Sequence, residues 1–107
     1  MMYDLEYLPA ARREIKNIIE YISFKLSNPI AARRLLESIE HEAENLRYAP
    51  YSMPPYRPII ETKYEYRKVL IANYIMFYRV NEIKKQITIV HIKYAKSDYG
   101  KKLKMLK

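Results

Sequence analysis

Four of the chain's six prolines, Pro50, Pro54, Pro55 and Pro58, fall within eleven residues and divide the sequence into stretches of different hydrophobic period. Proline lacks a backbone N–H and fixes φ, so residues 48–58 cannot form a helix or a central strand. An ordered loop is predicted there, with Tyr48, Tyr51 and Tyr56 packed onto the helices that precede it. Before the loop the apolar spacing is helical, and after it the spacing is that of strands. A chain of 107 residues has room for one modest core. The two stretches are therefore expected to pack together as one domain over residues 1–107.

Tyr3, Leu5 and Tyr7 alternate with Asp4 and Glu6, which predicts a first strand over residues 3–8. Pro9 suits the first position of a helix, where its missing N–H is not needed. Ile15, Ile18, Ile19, Ile22 and Leu26 then follow one helical face, with Arg13, Lys16, Asn17, Glu20 and Ser23 opposite. Ser27-Asn28-Pro29 ends this helix, and Asn28 is placed to cap a second one opened by Pro29. The second helix is predicted to bury Ala32, Leu35, Leu36, Ile39, Ala43 and Leu46. So short a link makes the pair an antiparallel hairpin.

Beyond the loop, residues 66–71, 74–80 and 86–94 are β-branched and aromatic, with short turns at Ala72-Asn73 and over residues 81–85. They read as a three-stranded antiparallel meander. The order β-α-α-β-β-β gives an α+β fold, with the helical hairpin on one face of a small, mostly antiparallel sheet. Nothing else in the chain is available to cover the other face, which is expected to meet solvent or a partner. The tail, residues 101–107, is basic and carries Leu103 and Leu106.

The net charge of +8 is unevenly placed. Residues 1–60 hold eight Lys/Arg and eight Asp/Glu, whereas residues 61–107 hold twelve against four. Charge segregated in this way suits a polyanion, most often nucleic acid. The absence of cysteine excludes disulfides, thiol catalysis and cysteine-based zinc sites. Two isolated histidines do not make a transition-metal site, and no cofactor is implied. The longest uncharged run, residues 69–78, is too short to span a bilayer, and Asp4, Glu6, Arg12 and Arg13 break any signal-peptide pattern. A soluble, cytoplasmic domain without metal is expected.

The candidate site residues are cationic and aromatic. Arg67, Lys68, Arg79, Lys93 and Lys96 lie in or beside the meander, Lys63 precedes it, and Lys101 and Lys102 come after it in the tail. Such residues grip phosphates, and Tyr74, Tyr78, Tyr94 and Tyr99 offer rings for stacking bases. Alternating charges would equally solvate the outer face of a half-covered sheet. His91 has a side chain suited to proton transfer near neutrality, while His41, within Glu40-His41-Glu42, reads as a surface residue. There is no glycine-rich phosphate loop, no serine-nucleophile elbow and no acidic pair in the basic half. These tools suit metal-free RNA cleavage, in which the 2′-hydroxyl attacks its own phosphate and cations stabilise the phosphorane. His91, Lys96 and Tyr99 all stand as candidates for the proton donor or acceptor.

Several segments together resemble the RelE/ParE superfamily of bacterial toxins. They are Ile18-Ile19-Glu20-Tyr21-Ile22, Asn28-Pro29-Ile30-Ala31-Ala32-Arg33-Arg34-Leu35-Leu36, Tyr66-Arg67-Lys68-Val69-Leu70, Tyr74-Ile75-Met76-Phe77-Tyr78-Arg79-Val80 and Ile92-Lys93-Tyr94-Ala95-Lys96-Ser97-Asp98-Tyr99. The resemblance spans roughly residues 3–103 and implies the toxin of a type II toxin–antitoxin pair, of the plasmid-stabilisation or addiction-module kind. It implies a cognate antitoxin as partner, in a hetero-oligomer, and no membrane. RelE-like members cut messenger RNA on the ribosome, whereas ParE-like members inhibit DNA gyrase without being nucleases, so the fold alone does not choose. The basic meander with Arg67, Lys96 and Tyr99 favours the ribosome-dependent endoribonuclease, the alternatives being a gyrase inhibitor or a degenerate member that only binds antitoxin or RNA. In the RelE pattern Arg67 and Lys96 would stabilise the phosphorane and Tyr99 would orient the reacting nucleotide. Many members carry Arg-Arg where this chain has Lys96-Ser97, so one cation is kept in charge only and the other is absent.

Overall fold

The structure, a computed structural model, describes residues 2–56 and 64–96. Its elements are β1 (Asp4–Tyr7), α1 (Pro9–Glu20), a π-helical turn (Tyr21–Lys25), α2 (Pro29–Leu46), β2 (Pro55–Tyr56), β3 (Tyr66–Ile71), β4 (Tyr74–Asn81) and β5 (Gln86–Tyr94). The sheet runs β1-β5-β4-β3-β2. β3, β4 and β5 form the expected antiparallel meander, and β1 lies parallel to β5, in register from Asp4↔Gln86 to Tyr7↔Ile89. A parallel neighbour cannot be reached by a hairpin. The chain between β1 and β5 must cross the sheet, and α1 and α2 begin that crossing on one face.

Sequence signals set the helix boundaries. Pro9 and Pro29 stand at the helix starts, and Asn28 Oδ1 accepts the Ala31 N–H at 3.1 Å. The end of α1 differs from expectation. Leu26 N–H donates to Tyr21 O at 3.1 Å, which widens the last turn from α to π. The wider turn shifts the rotation of the residues beyond it, so Leu26 leaves the apolar stripe on which its spacing placed it and is 55% exposed. Ser27 then takes a φ of 49° to reverse the chain.

The main core lies between the hairpin and the sheet. Ala11, Leu35, Ile39, Ala43 and Leu46 meet Val69, Ile71, Met76, Tyr78, Ile87, Ile89 and Ile92. Ile89 and Ile92 are three residues apart, and strict alternation would send them to opposite faces. A bulge reconciles them: Phe77 faces His91 and Tyr78 faces Ile89, which leaves Val90 as the extra residue.

The opposite face is not bare, contrary to expectation. Tyr66, Ile75, Phe77 and Val90 form a second buried cluster, joined by Leu8, Tyr56 and Ala95. Part of the reason is β2, which pairs with β3 through Pro55↔Arg67 and Tyr56↔Tyr66 and adds an edge strand to the predicted element order. A proline is tolerated on such an edge. The Tyr56 ring therefore lies 5.5 Å from that of Phe77, on the sheet rather than on the helices. Nor do the other loop tyrosines match the prediction: Tyr51 donates to Glu82 Oε1 at 2.7 Å, and Tyr48 is exposed.

The β3–β4 turn carries strain that the sequence does not relieve. Ala72 takes a φ of 53° as the first of two turn residues between the paired Ile71 and Tyr74. A side chain in the left-handed region costs about 1–2 kcal/mol, part of which glycine gives back as unfolded-state entropy. Ala72→Gly is therefore expected to stabilise the fold by roughly 0.5–1 kcal/mol, read as a rise of a few degrees in thermal midpoint by circular dichroism.

Candidate functional site

Strand alternation divides the candidate cations. Arg67 shares its face with Val69 and Ile71, on the helix side of β3, while Lys68 faces the other way. The Arg67 guanidinium donates to Met53 O and to Glu65 Oε1 (3.1 Å), and lies 4.9 Å from the centre of the Tyr51 ring. Its side chain is only 12% exposed. Beside it, across the β3–β4 pair, Tyr78 is fully buried and donates to Pro50 O at 3.1 Å. Burial pushes the Tyr78 hydroxyl up to about 12, with the nearby Arg67 charge pulling the other way. Arg67 and Tyr78 together tie the proline loop to the sheet through its carbonyls, which the prolines leave without regular partners.

Lys68 and Arg79 lie on the opposite face, each against a tyrosine. Lys68 Nζ is 4.6 Å from the centre of the Tyr56 ring, and the Arg79 guanidinium is 4.1 Å from that of Tyr64. The Arg79 charge also lies near Tyr66, whose hydroxyl pKa is nonetheless raised by burial above its usual range. At the end of the sheet a recess of about 530 Å³ brings Arg67 and Arg79 to one border, with Tyr51, Tyr64 and Thr88. Among the described residues, three cations line it, Arg67, Arg79 and Lys84, and so do three carboxylates, Glu6, Glu65 and Glu82. The described lining is polar, with its charges matched.

His91 and Lys93 are held by a residue that the sequence pattern did not single out. One Glu14 carboxylate lies 2.8 and 2.9 Å from His91 Nδ1, accepts the Ile92 N–H at 3.0 Å and pairs with Lys93 Nζ. The cause is topological. β1 stops opposite Ile89, so among the described residues the remainder of β5 has no strand on that side, and α1 brings a carboxylate to that edge. The signal was available, because Glu14 lies three residues after Ala11 and four before Ile18, on the apolar stripe of α1. Tyr94 is partly exposed and meets Tyr74 edge to face, with ring centres 5.8 Å apart. Lys96 lies just past β5, while Tyr99, Lys63, Lys101 and Lys102 fall outside the described residues.

A second, apolar groove of about 880 Å³ runs between the helical hairpin and the end of the sheet, lined by Ile18, Ile22, Leu26, Tyr74 and Tyr94. Among the described residues no group of His, Asp or Glu is arranged to hold a metal ion, and no helix is long and apolar enough to cross a membrane.

Burial opposes ionisation of Glu14, but the hydrogen bonds from His91, Lys93 and Ile92 outweigh it and hold the carboxyl below its ordinary 4.5. A carboxyl depressed in the folded state stabilises the fold above its unfolded pKa, and that stability is lost as pH falls through the folded value. Glu14→Gln is expected to destabilise the chain by about 2–3 kcal/mol at pH 7, since the amide removes the charge that pairs with Lys93 and leaves a single oxygen where two serve His91, Ile92 and Lys93. The gap between wild type and variant should close as pH drops below about 4.5 in urea titrations, while the exposed His41→Ala shows no such gap.

Residues 5–99 match the family model described as ParE toxin of type II toxin–antitoxin system, parDE. No curated protein sequence matches the chain. Among solved structures, the chromosomal ParDE toxin–antitoxin system of P. aeruginosa superposes with a TM-score of 0.68 at 18% identity, over 89% of this chain and 98% of that one. The RelBE2 toxin–antitoxin complex of Mycobacterium tuberculosis gives a TM-score of 0.63 at 15% identity, over 88% and 99%. A free mutant of the E. coli toxin RelE gives 0.62 at 13% identity, over 99% and 97%. The shared architecture is the helical hairpin on a mixed sheet, and with the family match it shows that the chain belongs to the ParE toxin family of type II toxin–antitoxin systems, within the RelE/ParE fold.

Proposed function

We propose that this toxin acts in the ParE manner, as a non-enzymatic inhibitor of DNA gyrase that a cognate antitoxin neutralises. One observation carries the reading: Arg67, the arginine that a nuclease would need, is already engaged inside the protein. Arg67 is held by Met53 O, Glu65 and Tyr51, and among the described residues the recess it borders matches three cations with three carboxylates. A phosphorane needs uncompensated donors aimed at it. His91, the candidate acid or base, is fixed by Glu14 on the edge of β5 and does not line that recess. An inhibitor that works by binding needs none of these groups to be free. On this reading the chain works as one domain in the cytoplasm, where gyrase acts, bound to its antitoxin in a hetero-oligomer when silent.

The second reading is a ribosome-dependent messenger RNA endoribonuclease, favoured by the +8 charge confined to residues 61–107. There Arg67 and Lys96 would stabilise the phosphorane, Tyr99 would orient the nucleotide, and Lys63, Lys68, Arg79, Lys93, Tyr94, Lys101 and Lys102 would hold RNA.

Gyrase supercoiling and primer extension on translated messenger RNA, run on one preparation, separate the two. Supercoiling should stop while the RNA stays intact. Arg67→Lys is expected to destabilise the fold by about 2 kcal/mol through its lost bidentate contacts, yet to inhibit gyrase as the wild type does. Ribosome-dependent cuts that fall about a hundredfold in Arg67→Lys would overturn the proposal in favour of the nuclease.

A further inference from the structure

β1 is an edge strand, and the direction of its backbone groups follows from its pairing. Asp4 N–H donates to Lys85 O and Leu8 N–H to Ile89 O, each at 2.9 Å, so Asp4, Glu6 and Leu8 turn their backbone groups toward β5. Those of Tyr3, Leu5 and Tyr7 turn outward. Arg47 takes up the first of the three: Tyr3 N–H donates to Arg47 O, and Arg47 Nε donates back to Tyr3 O, both at 2.8 Å. Among the described residues, Leu5 and Tyr7 have no backbone partner on that side. A row of open N–H and C=O groups is a template for one more strand.

The side chains select what that strand carries. Leu5 and Tyr7 face the main core, and beside Tyr7 a recess of about 380 Å³ opens between α1 and α2, lined by Ile15, Ile19, Leu36 and Ile39. The charges on its rim, Arg12 and Lys16 against Glu20 and Glu40, cancel. Asp4 and Glu6 point to the opposite face and are exposed. Their neighbours on β5, Gln86 and Thr88, are uncharged, and neither carboxylate forms an ion pair with another described residue. Glu6 borders the recess of Arg67, Arg79 and Lys84 without pairing with any of them. An acidic segment laid along β1 therefore meets like charge. So does a second copy, because the two-fold register that joins Leu5 to Tyr7 of the other copy sets Glu6 against Glu6.

We propose that β1 is a docking edge for an extended segment of a partner protein in which apolar and basic residues alternate. Its backbone pairs with Leu5 and Tyr7. Its apolar residues lie toward the recess between the helices, and its basic residues lie beside Asp4 and Glu6, where opposite charges across a strand pair are favourable. The site is independent of which target the toxin attacks.

Amide hydrogen exchange of the free, full-length chain, read residue by residue in NMR spectra, tests this with a capped peptide of alternating valine and lysine and its glutamate twin. The lysine peptide should slow exchange at Leu5 and Tyr7 by at least about tenfold, while the Asp4 and Leu8 amides, already bonded to β5, change little. The twin should leave Leu5 and Tyr7 exchanging as before, whatever it does at the basic end of the chain. Asp4→Lys combined with Glu6→Lys should reverse the preference and, both sites being exposed, keep the circular dichroism of the wild type. No protection from the lysine peptide, equal protection from both peptides, or a preference that the double exchange leaves in place would overturn the proposal. So would Leu5 and Tyr7 amides that become protected at high concentration of the chain alone, which would give the edge to a second copy.

Discussion

Leu8 N–H donates the last hydrogen bond between the first and fifth strands, to Ile89 O at 2.9 Å, and Pro9 then turns the chain into α1. Among the described residues, no strand pairs with residues 90–94 of β5 on that side. An unpaired edge is an invitation to aggregate and a loss of backbone hydrogen bonds where it is shielded from water. Glu14 meets both demands by taking the Ile92 N–H. The same carboxylate holds His91 and Lys93, so a single side chain fixes the rotation of α1 about its axis. With Glu14 turned to β5, Ala11, Ile15 and Ile18 are turned to the sheet, and the rest of the hairpin can only lie across that face.

The tyrosines answer a different constraint, that of a chain with twelve tyrosines and twenty cations. Arg12, Arg67, Lys68, Arg79 and Lys85 each lie within 6 Å of a tyrosine ring centre. A ring covers the apolar stem of the cation and attracts its charge without neutralising it. The long-range field therefore survives, while the side chains lose freedom to rearrange. Such a surface keeps its positive charge while its arginines stay fixed against the rings.

Much of the fold was legible because its signals are local. Pro9, Asn28 and Pro29 mark helix starts by chemistry that needs no tertiary context, and the β-branched runs gave β3 to β5 nearly residue for residue. The features that were not legible depend on contacts between distant segments. Leu26 left the core through one extra residue in a turn, and Tyr56 reached Phe77 only because Pro55 paired with Arg67. In the site, composition identified the cations but not their partners. Arg67 looked free because Met53 O and Tyr51, fourteen and sixteen residues earlier, are brought to it by the loop. Glu14 was hidden by being a charged residue on an apolar stripe, a conflict that only the vacated edge of β5 explains.

Arg67 and Lys68 are adjacent in sequence and so point to opposite faces of β3, which limits where their charges can act together. Only at the end of the sheet do Arg67 and Arg79 border a common recess, and there Glu6, Glu65 and Glu82 offset Arg67, Arg79 and Lys84. The excess charge lies later in the sequence: residues 93–107 carry six lysines against Asp98 alone. The positive charge of the sequence is thus concentrated toward its end, beyond the strand residues that line the apolar groove at Tyr74 and Tyr94. The arginines inherited from the strand pattern are spent on holding the proline loop and the tyrosines in place. On one fold, then, excess charge and structural charge can part company: the lysines accumulate late in the sequence, while the arginines of β3 and β4 are fixed by the contacts that hold the sheet to its loop and its tyrosines.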